Sequence, residues 1–188
     1  MDLNETPQQV YLMGDSLTGQ EGRYGRHLQE VLGRRYVINW RGIPGNTTAQ
    51  MRARFDADVI APGNASHVVI WGGVNDIAQG STSAEITANL AAMYEAARAA
   101  NITVIAVTIG PFSRDADWDS SSPRARGTQD DVNAWIKTAA AISVEINHTL
   151  EDPKTPYTLR PEFDDGSHIH LTDAGYAAVA TAISTAFQ

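Results

Sequence analysis

The 188-residue chain has no cysteine. That excludes disulfides, thiolate metal sites and a cysteine nucleophile, while leaving the compartment open. No apolar stretch approaches the ~20 residues that cross a bilayer. Positive charge is scarce as well: 14 Lys and Arg stand against 22 Asp and Glu, for a net charge of −8. The basic residues are scattered, with only Arg34-Arg35 adjacent and Arg23 and Arg26 near them. Nucleic-acid binding wants a basic stripe, so that class of partner is disfavoured. The opening Met1-Asp2-Leu3-Asn4-Glu5 has neither a basic n-region nor an apolar h-region. A cytoplasmic location is therefore the default expectation, although a trimmed secreted form would read the same. There is no internal repeat and no low-complexity tract.

What is present is an ordinary globular composition, 43% apolar and 19% charged, which suits one domain over residues 1–188. Short apolar runs at Val10–Met13, Tyr36–Trp40, His67–Trp71 and Thr103–Thr108 read as strands; three are nearly continuous, as suits strands buried on both faces of a parallel sheet, and Val37-Ile38 in the second is a shorter version of the same signal. Helix signals lie between them. Tyr24 to Leu32 is one, and Thr47-Thr48 starts a second with Met51, Phe55 and Val59 at spacings of four. Thr82 or Ser83 caps a third, with Ile86, Leu90, Met93 and Ala97 on one face. A fourth runs from about Thr128 into the 140s and carries Val132, Trp135, Ile136, Ala139, Ile142 and Ile146. Thr172 caps the last, with Tyr176, Val179, Ala180 and Ile183 facing inward. This alternation predicts a three-layer α/β/α sandwich with a flavodoxin-like strand order. Residues 113–127 and 151–167 read as long surface loops; the second holds three prolines and five acidic residues.

Four turns carry residues suited to chemistry. Gly14-Asp15-Ser16-Leu17 follows the first strand and lifts a serine to the sheet's carboxyl edge, where a nucleophile is exposed and backbone N–H groups can receive an oxyanion. Gly42-Ile43-Pro44-Gly45-Asn46-Thr47 leaves the second strand; Gly45 can offer its N–H with no side chain in the way. Taken alone, this segment reads better as punctuation between strand and helix. Gly72-Gly73-Val74-Asn75-Asp76 follows the third strand; Asn75 brings an amide donor and Asp76 a brace or cap. The segment reads as a turn or as part of a site. Asp164-Asp165-Gly166-Ser167-His168-Ile169-His170 precedes the last helix with two histidines beside carboxylates, a base and its orienting acid. A His-X-His pair also suits a metal, but no third ligand is evident from spacing, so no metal is expected. His168 also reads as a surface histidine. A parallel sheet gathers three of these turns on one edge, and the loop before the last helix should arrive there too.

With these segments in this order, nearly the whole chain resembles the SGNH/GDSL hydrolase family. The match runs through Gly14-Asp15-Ser16-Leu17-Thr18, Gly42 to Thr47, Gly73-Val74-Asn75-Asp76 and His170-Leu171-Thr172-Asp173-Ala174-Gly175-Tyr176. The resemblance implies Ser16 as nucleophile, His170 as base, and an oxyanion hole from the Ser16 and Gly45 N–H groups with the Asn75 amide. One position departs from the pattern. The family places an aspartate three residues before its histidine, and here that residue is Ser167. Asp165 is the candidate acid, reaching His170 from a bent loop. Asp164, a dyad supported by Ser167, and an Asp165–His168 pair are the alternatives.

The resulting expectation is a serine esterase that cleaves carboxylic esters through an acyl-enzyme on Ser16, with no cofactor. Its partner is a small-molecule ester: a short-chain ester, an acetylated sugar, a lysophospholipid or a thioester. Acidic loops favour neutral acyl substrates over anionic ones. One alternative is a catalytically weak or non-hydrolytic ligand binder on the same fold. Another is a flavodoxin-like nucleotide or flavin binder, for which Gly14-Asp15-Ser16-Leu17-Thr18-Gly19 is a poor phosphate loop because its aspartate repels phosphate.

Overall fold

The computed structural model describes residues 6–19, 23–113 and 122–187. Five parallel strands form one sheet in the order β2-β1-β3-β4-β5: β1 (Gln8–Gly14), β2 (Tyr36–Gly42), β3 (Ala65–Trp71), β4 (Thr103–Val107) and β5 (Ile142–Val144). The central strands are apolar on both faces, with Val10, Leu12, Met13, Val68, Val69 and Ile105 sealed from solvent. Burial on both faces is possible because helices cover both. α1 (Tyr24–Leu32) packs on α7 (Asp173–Ser184). α4 (Ser83–Ala99) lies between α2 (Thr48–Phe55) and α5 (Pro123–Ala139). Two short helices complete the set, α3 (Val74–Ala78) and α6 (Asn147–Leu150). No described helix is long and apolar enough to cross a membrane.

The helix starts follow from their caps. Thr47 and Thr82 each close a reciprocal capping box, with Gln50 and Glu85 respectively. Thr172 accepts the Gly175 N–H at the start of α7. α2 ends at Phe55, where a single wider π-turn over Asp56–Ile60 keeps Val59 in the core.

Three expectations need correction. The fourth helix ends at Ala139, and Ile142–Val144 is the edge strand β5, paired with β4 from Ile105 to Val107. Ile142 and Ile146 are four apart, as on a helix, but Ile142, Val144 and Ile146 also alternate as on a strand. β-branched residues beside an open sheet edge settle that ambiguity towards the strand. The expected loop over 113–127 is shorter at its far end. Ser122 caps α5 and Pro123 opens it, a position where proline loses no needed hydrogen bond; residues 114–121 lie outside the described residues. Asn75 and Asp76 sit on the first turn of α3 rather than in an open turn. The 151–167 segment contains no helix or regular strand, and is tied down by bridges Glu151–Leu159 and Asp164–Leu171.

Strand order reverses between β1 and β3, because the chain goes from β1 out to β2 and then crosses back. Open sheets of this order bind ligands at the carboxyl ends of those two strands. The Ser16 turn leaves β1 there, and Asn75 follows β3.

Candidate active site

The Ser16 turn is built by close approach of its neighbours. The Gly19 N–H bonds the Asp15 carbonyl at 3.0 Å, closing the turn. The turn after β2 packs directly against it. A Cβ on Gly42 would lie 2.4 Å from Gly19 N and 2.8 Å from Asp15 O, so a side chain there would push the turns apart. Ile43 N–H donates to Gly14 O at 3.1 Å. Gly45, at φ +79°, turns the chain towards α2 in a conformation that glycine adopts without strain. Among the described residues, neither the Ser16 nor the Gly45 N–H has an intramolecular acceptor.

Arg54 on α2 locks the two turns together. Its guanidinium donates to Gly14 O (2.9 Å), Arg41 O (2.8 Å) and Asn46 Oδ1 (2.8 Å), and pairs with Asp58 at 2.6 Å. Arg54 is one of two arginines on α2, and nothing in the sequence signalled this role. Asp76, buried, ties α3 to α2 by accepting the Thr48 N–H (2.8 Å) and hydroxyl (2.6 Å). Burial pushes its carboxyl above the usual range, partly opposed by those two bonds.

Asn75 is 5% exposed, and its amide nitrogen donates to Asp15 Oδ2 at 3.2 Å and to Asn46 O at 3.0 Å. It thus pins the Gly45 turn to the Ser16 turn. Both amide hydrogens have acceptors in this resting arrangement, so donation to an oxyanion requires the Asn46 carbonyl to yield one.

Asp15 is fully buried and accepts the Leu17 N–H at 2.9 Å. Burial pushes its carboxyl up to about 7, against the pull of that N–H; the nearby Asp76 raises it further. Such a group is protonated in the folded chain at pH values where the unfolded chain has already ionised, its ordinary value being 3.8. The penalty for burying its charge is absent below about pH 4 and complete above about pH 7. Asp15→Asn removes the charge. The variant should therefore gain stability relative to wild type as pH rises from 4 to 8, by a few kcal/mol at most, while it loses an acceptor for Asn75. Urea denaturation at both pH values checks this; a variant-minus-wild-type difference independent of pH would contradict it.

The last turn enters from the 151–170 segment. His170 Nε2 lies 3.0 Å from Ser16 Oγ, and both residues are half-buried. His170 Nδ1 lies 3.3 Å from Ser167 Oγ. Ser167 Oγ also accepts the His170 backbone N–H at 2.9 Å, and Ser167 N–H donates to Asp165 Oδ1 at 2.9 Å. Asp165 is exposed. What burial it has raises its carboxyl, but hydrogen bonding from the Ser167 side chain and backbone, with the charges of His170 and Arg23, holds it below the ordinary range. His168 is turned elsewhere: it is exposed, at φ +61°, and its ring pairs with Asp164. The structure thus brings Ser16 and His170 together and places Ser167 behind the ring. Asp165 lies one residue contact further out, and Asp164 on the other histidine. Arg23, which the sequence marked only as one of the scattered basic residues, lies over the Tyr176 ring at 5.1 Å and donates to its hydroxyl.

Among the described residues no group of three or more His, Asp or Glu side chains converges as metal ligands do. Beside the Ser16 turn, Leu17, Trp71, Val74, Ile109, Phe112 and Ile169 surround an apolar cavity with about 10 Å³ of free space, room for about one water.

Several solved structures share this architecture. A GDSL-like lipase from Bacteroides thetaiotaomicron superposes with a TM-score of 0.80 at 26% identity, over 95% of this chain and 87% of that one. A lipase/acylhydrolase from Enterococcus faecalis gives 0.78 at 20% identity, over 95% and 94%. The acetyl xylan esterase AlAXEase gives 0.77 at 21% identity, over 96% and 100%. No curated protein matches the sequence. The profile of one family matches residues 12–178, spanning all four of the turns assembled here, and the chain belongs to that family, the GDSL-like lipase/acylhydrolases.

Proposed function

We propose that the protein is a serine esterase that cleaves small acyl esters through a covalent acyl-enzyme on Ser16. Membership of an acylhydrolase family supports ester hydrolysis in general. The observation that carries the finer reading is the 3.0 Å contact between Ser16 Oγ and His170 Nε2, at the carboxyl edge of the sheet. In this reading Nε2 takes the hydroxyl proton as Oγ attacks the ester carbonyl. The carbonyl π electrons move onto oxygen, and the oxyanion is received by the N–H groups of Ser16 and Gly45, which have no acceptor among the described residues. Asn75 joins them once the Asn46 carbonyl releases one amide hydrogen. The protonated His170 then gives its proton to the departing alkoxide, leaving an acyl-enzyme. Water, deprotonated by His170, repeats the attack and frees the acid.

The tight cavity beside the Ser16 turn supports a short acyl group, since it has no room for an extended chain. The 151–168 segment borders an open cavity of about 450 Å³ with Asp152, Thr158, Asp164 and His168 on its walls. Leu159 and Pro161 share those walls, so the lining is mixed, and its two carboxylates disfavour an anionic leaving group there. Hydrolysis rates across p-nitrophenyl acetate, butyrate, octanoate and palmitate test this. kcat/KM should be highest for acetate or butyrate and fall with length; a maximum at octanoate or beyond would overturn the short-acyl assignment, and no turnover of any ester the esterase itself.

Asn75→Ala separates transition-state stabilisation from binding. Loss of one oxyanion donor costs about 10²–10³-fold in kcat, so kcat should fall by that order with KM little changed. A change confined to KM would instead make Asn75 a substrate-binding residue.

A further inference from the structure

The buried stripe of α5 carries two amides among its apolar residues. Gln129 and Asn133 lie at helical spacing with Val132 and Ile136; Gln129 is sealed from solvent and Asn133 is 5% exposed. Both face the segment that leaves β4, Ile109–Phe112, whose residues are buried yet belong to no strand. Asn133 meets both backbone groups of Ile109: its Oδ1 accepts the N–H at 2.7 Å and its Nδ2 donates to the carbonyl at 2.9 Å. Gln129 Nε2 donates to the Ile109 carbonyl at 3.1 Å and to the Gly110 carbonyl at 2.9 Å. Turned over, that amide would set its oxygen against two carbonyl oxygens, so its orientation is forced. Gln129 Oε1 is buried without a hydrogen-bond partner among the described residues, a cost that an apolar side chain would avoid. An apolar side chain could not satisfy two buried carbonyls.

We infer that Gln129 and Asn133 are positioning residues for acyl selectivity, holding Ile109–Phe112 as a rigid wall of the cavity beside the Ser16 turn. The inference rests on the esterase reading above and deepens it. Ile109, Gly110, Pro111 and Phe112 all line that cavity, together with Leu17 from the Ser16 turn and Val74 beside Asn75. The wall has no slack at either end. A Cβ on Gly73 would lie 2.6 Å from Ile109 Cδ1, so Ile109 packs against bare backbone at the start of α3. At the other end Ser113 N–H donates to His168 O at 2.8 Å, tying the segment to the histidine loop. A free space of about 10 Å³ limits the acyl group only if its wall cannot yield. The side chains of one helix prevent that by holding the Ile109 N–H and the Ile109 and Gly110 carbonyls. Asn75 is held separately, by its bonds to Asp15 and Asn46. Loosening the wall therefore widens acyl tolerance without removing the oxyanion donor.

The test measures kcat and KM for p-nitrophenyl acetate and octanoate in the full chain carrying Gln129→Met, Asn133→Leu or Val132→Ala. Val132 is sealed in the core on the same helix and has no hydrogen-bonding side chain, so its variant reports lost packing of α5 alone. In Gln129→Met and Asn133→Leu the octanoate-to-acetate ratio of kcat/KM should rise about tenfold, with kcat for acetate within about threefold of wild type. Val132→Ala should leave the ratio near the wild-type value even where it lowers Tm as much. Amide hydrogen exchange reads the clamp without any ester. The Ser113 amide in both amide variants, and the Ile109 amide in Asn133→Leu, should exchange about tenfold faster or more relative to Ile105 inside β4. The inference is overturned if the ratio stays at the wild-type value in both amide variants, if Val132→Ala raises it as far, or if these amides keep their protection. Failure of the esterase reading is a separate result: exchange changes as described, but ester turnover is absent from wild type or survives Ser16→Ala, and the selectivity role falls with it.

Discussion

Ser16→Ala should lower ester turnover by about 10⁴-fold or more, the scale seen when a nucleophile of a serine hydrolase is removed. Fold and stability should be nearly unchanged. The reason lies in what the side chain touches. Its hydroxyl contacts His170 Nε2, while the turn itself is held by backbone and neighbouring groups: Gly19 N–H on Asp15 O, Leu17 N–H on Asp15 Oδ1, and Arg54 on Gly14 O. Alanine keeps all of these. Thermal unfolding within a degree or two of wild type, beside a residual rate at background, is the expected pair of results. Near-normal turnover in the variant would remove Ser16 from the mechanism.

The second large effect separates the two histidines. His170→Ala should lose turnover on the same scale as Ser16→Ala, because the proton on Ser16 then has no acceptor. His168→Ala should keep a substantial part of it. The His168 ring is exposed and paired with Asp164, away from Ser16. Its structural contribution is in its backbone, where its carbonyl accepts the Ser113 N–H at 2.8 Å and its own N–H reaches Asp164 at 2.9 Å. Alanine preserves both bonds and meets only the modest cost of a left-handed φ, about 1–2 kcal/mol. Initial rates for both variants at saturating p-nitrophenyl acetate decide the matter. The reverse ranking would make His168 the base, with the whole 164–170 loop in another register.

The sequence made β1, β3 and β4 legible because each is a short, nearly continuous apolar run, which few structures other than a doubly covered parallel strand accommodate; the edge strand β2 carried a shorter version of that signal in Val37-Ile38. It also made the order of the four turns legible, and with it the edge of the sheet where Ser16, Gly45, Asn75 and His170 are found. β5 was hidden because Ile142 and Ile146 satisfy a helical spacing as well as an extended one; the competition was resolved by the open edge of β4, a tertiary fact. The α5 start was readable in Ser122-Pro123 but was outweighed by the polar composition around it. Arg54 could not be read at all. Besides Asp58, its acceptors come from β1, β2 and the Gly45 turn, and only folding brings them to one guanidinium. The acid position was ambiguous for a related reason. Spacing shows that Ser167 stands where a carboxylate is expected, but only geometry shows that its hydroxyl faces Nδ1 while Asp164 is engaged by His168.

Covalent capture tests the nucleophilic role of Ser16 most directly. Wild-type protein treated with a serine-directed p-nitrophenyl phosphonate should gain the mass of one phosphonyl group, with one equivalent of p-nitrophenol released. Peptide mapping should place the group on Ser16, and Ser16→Ala should gain none under the same conditions. A group found on another residue, or equal labelling of the alanine variant, would contradict the account.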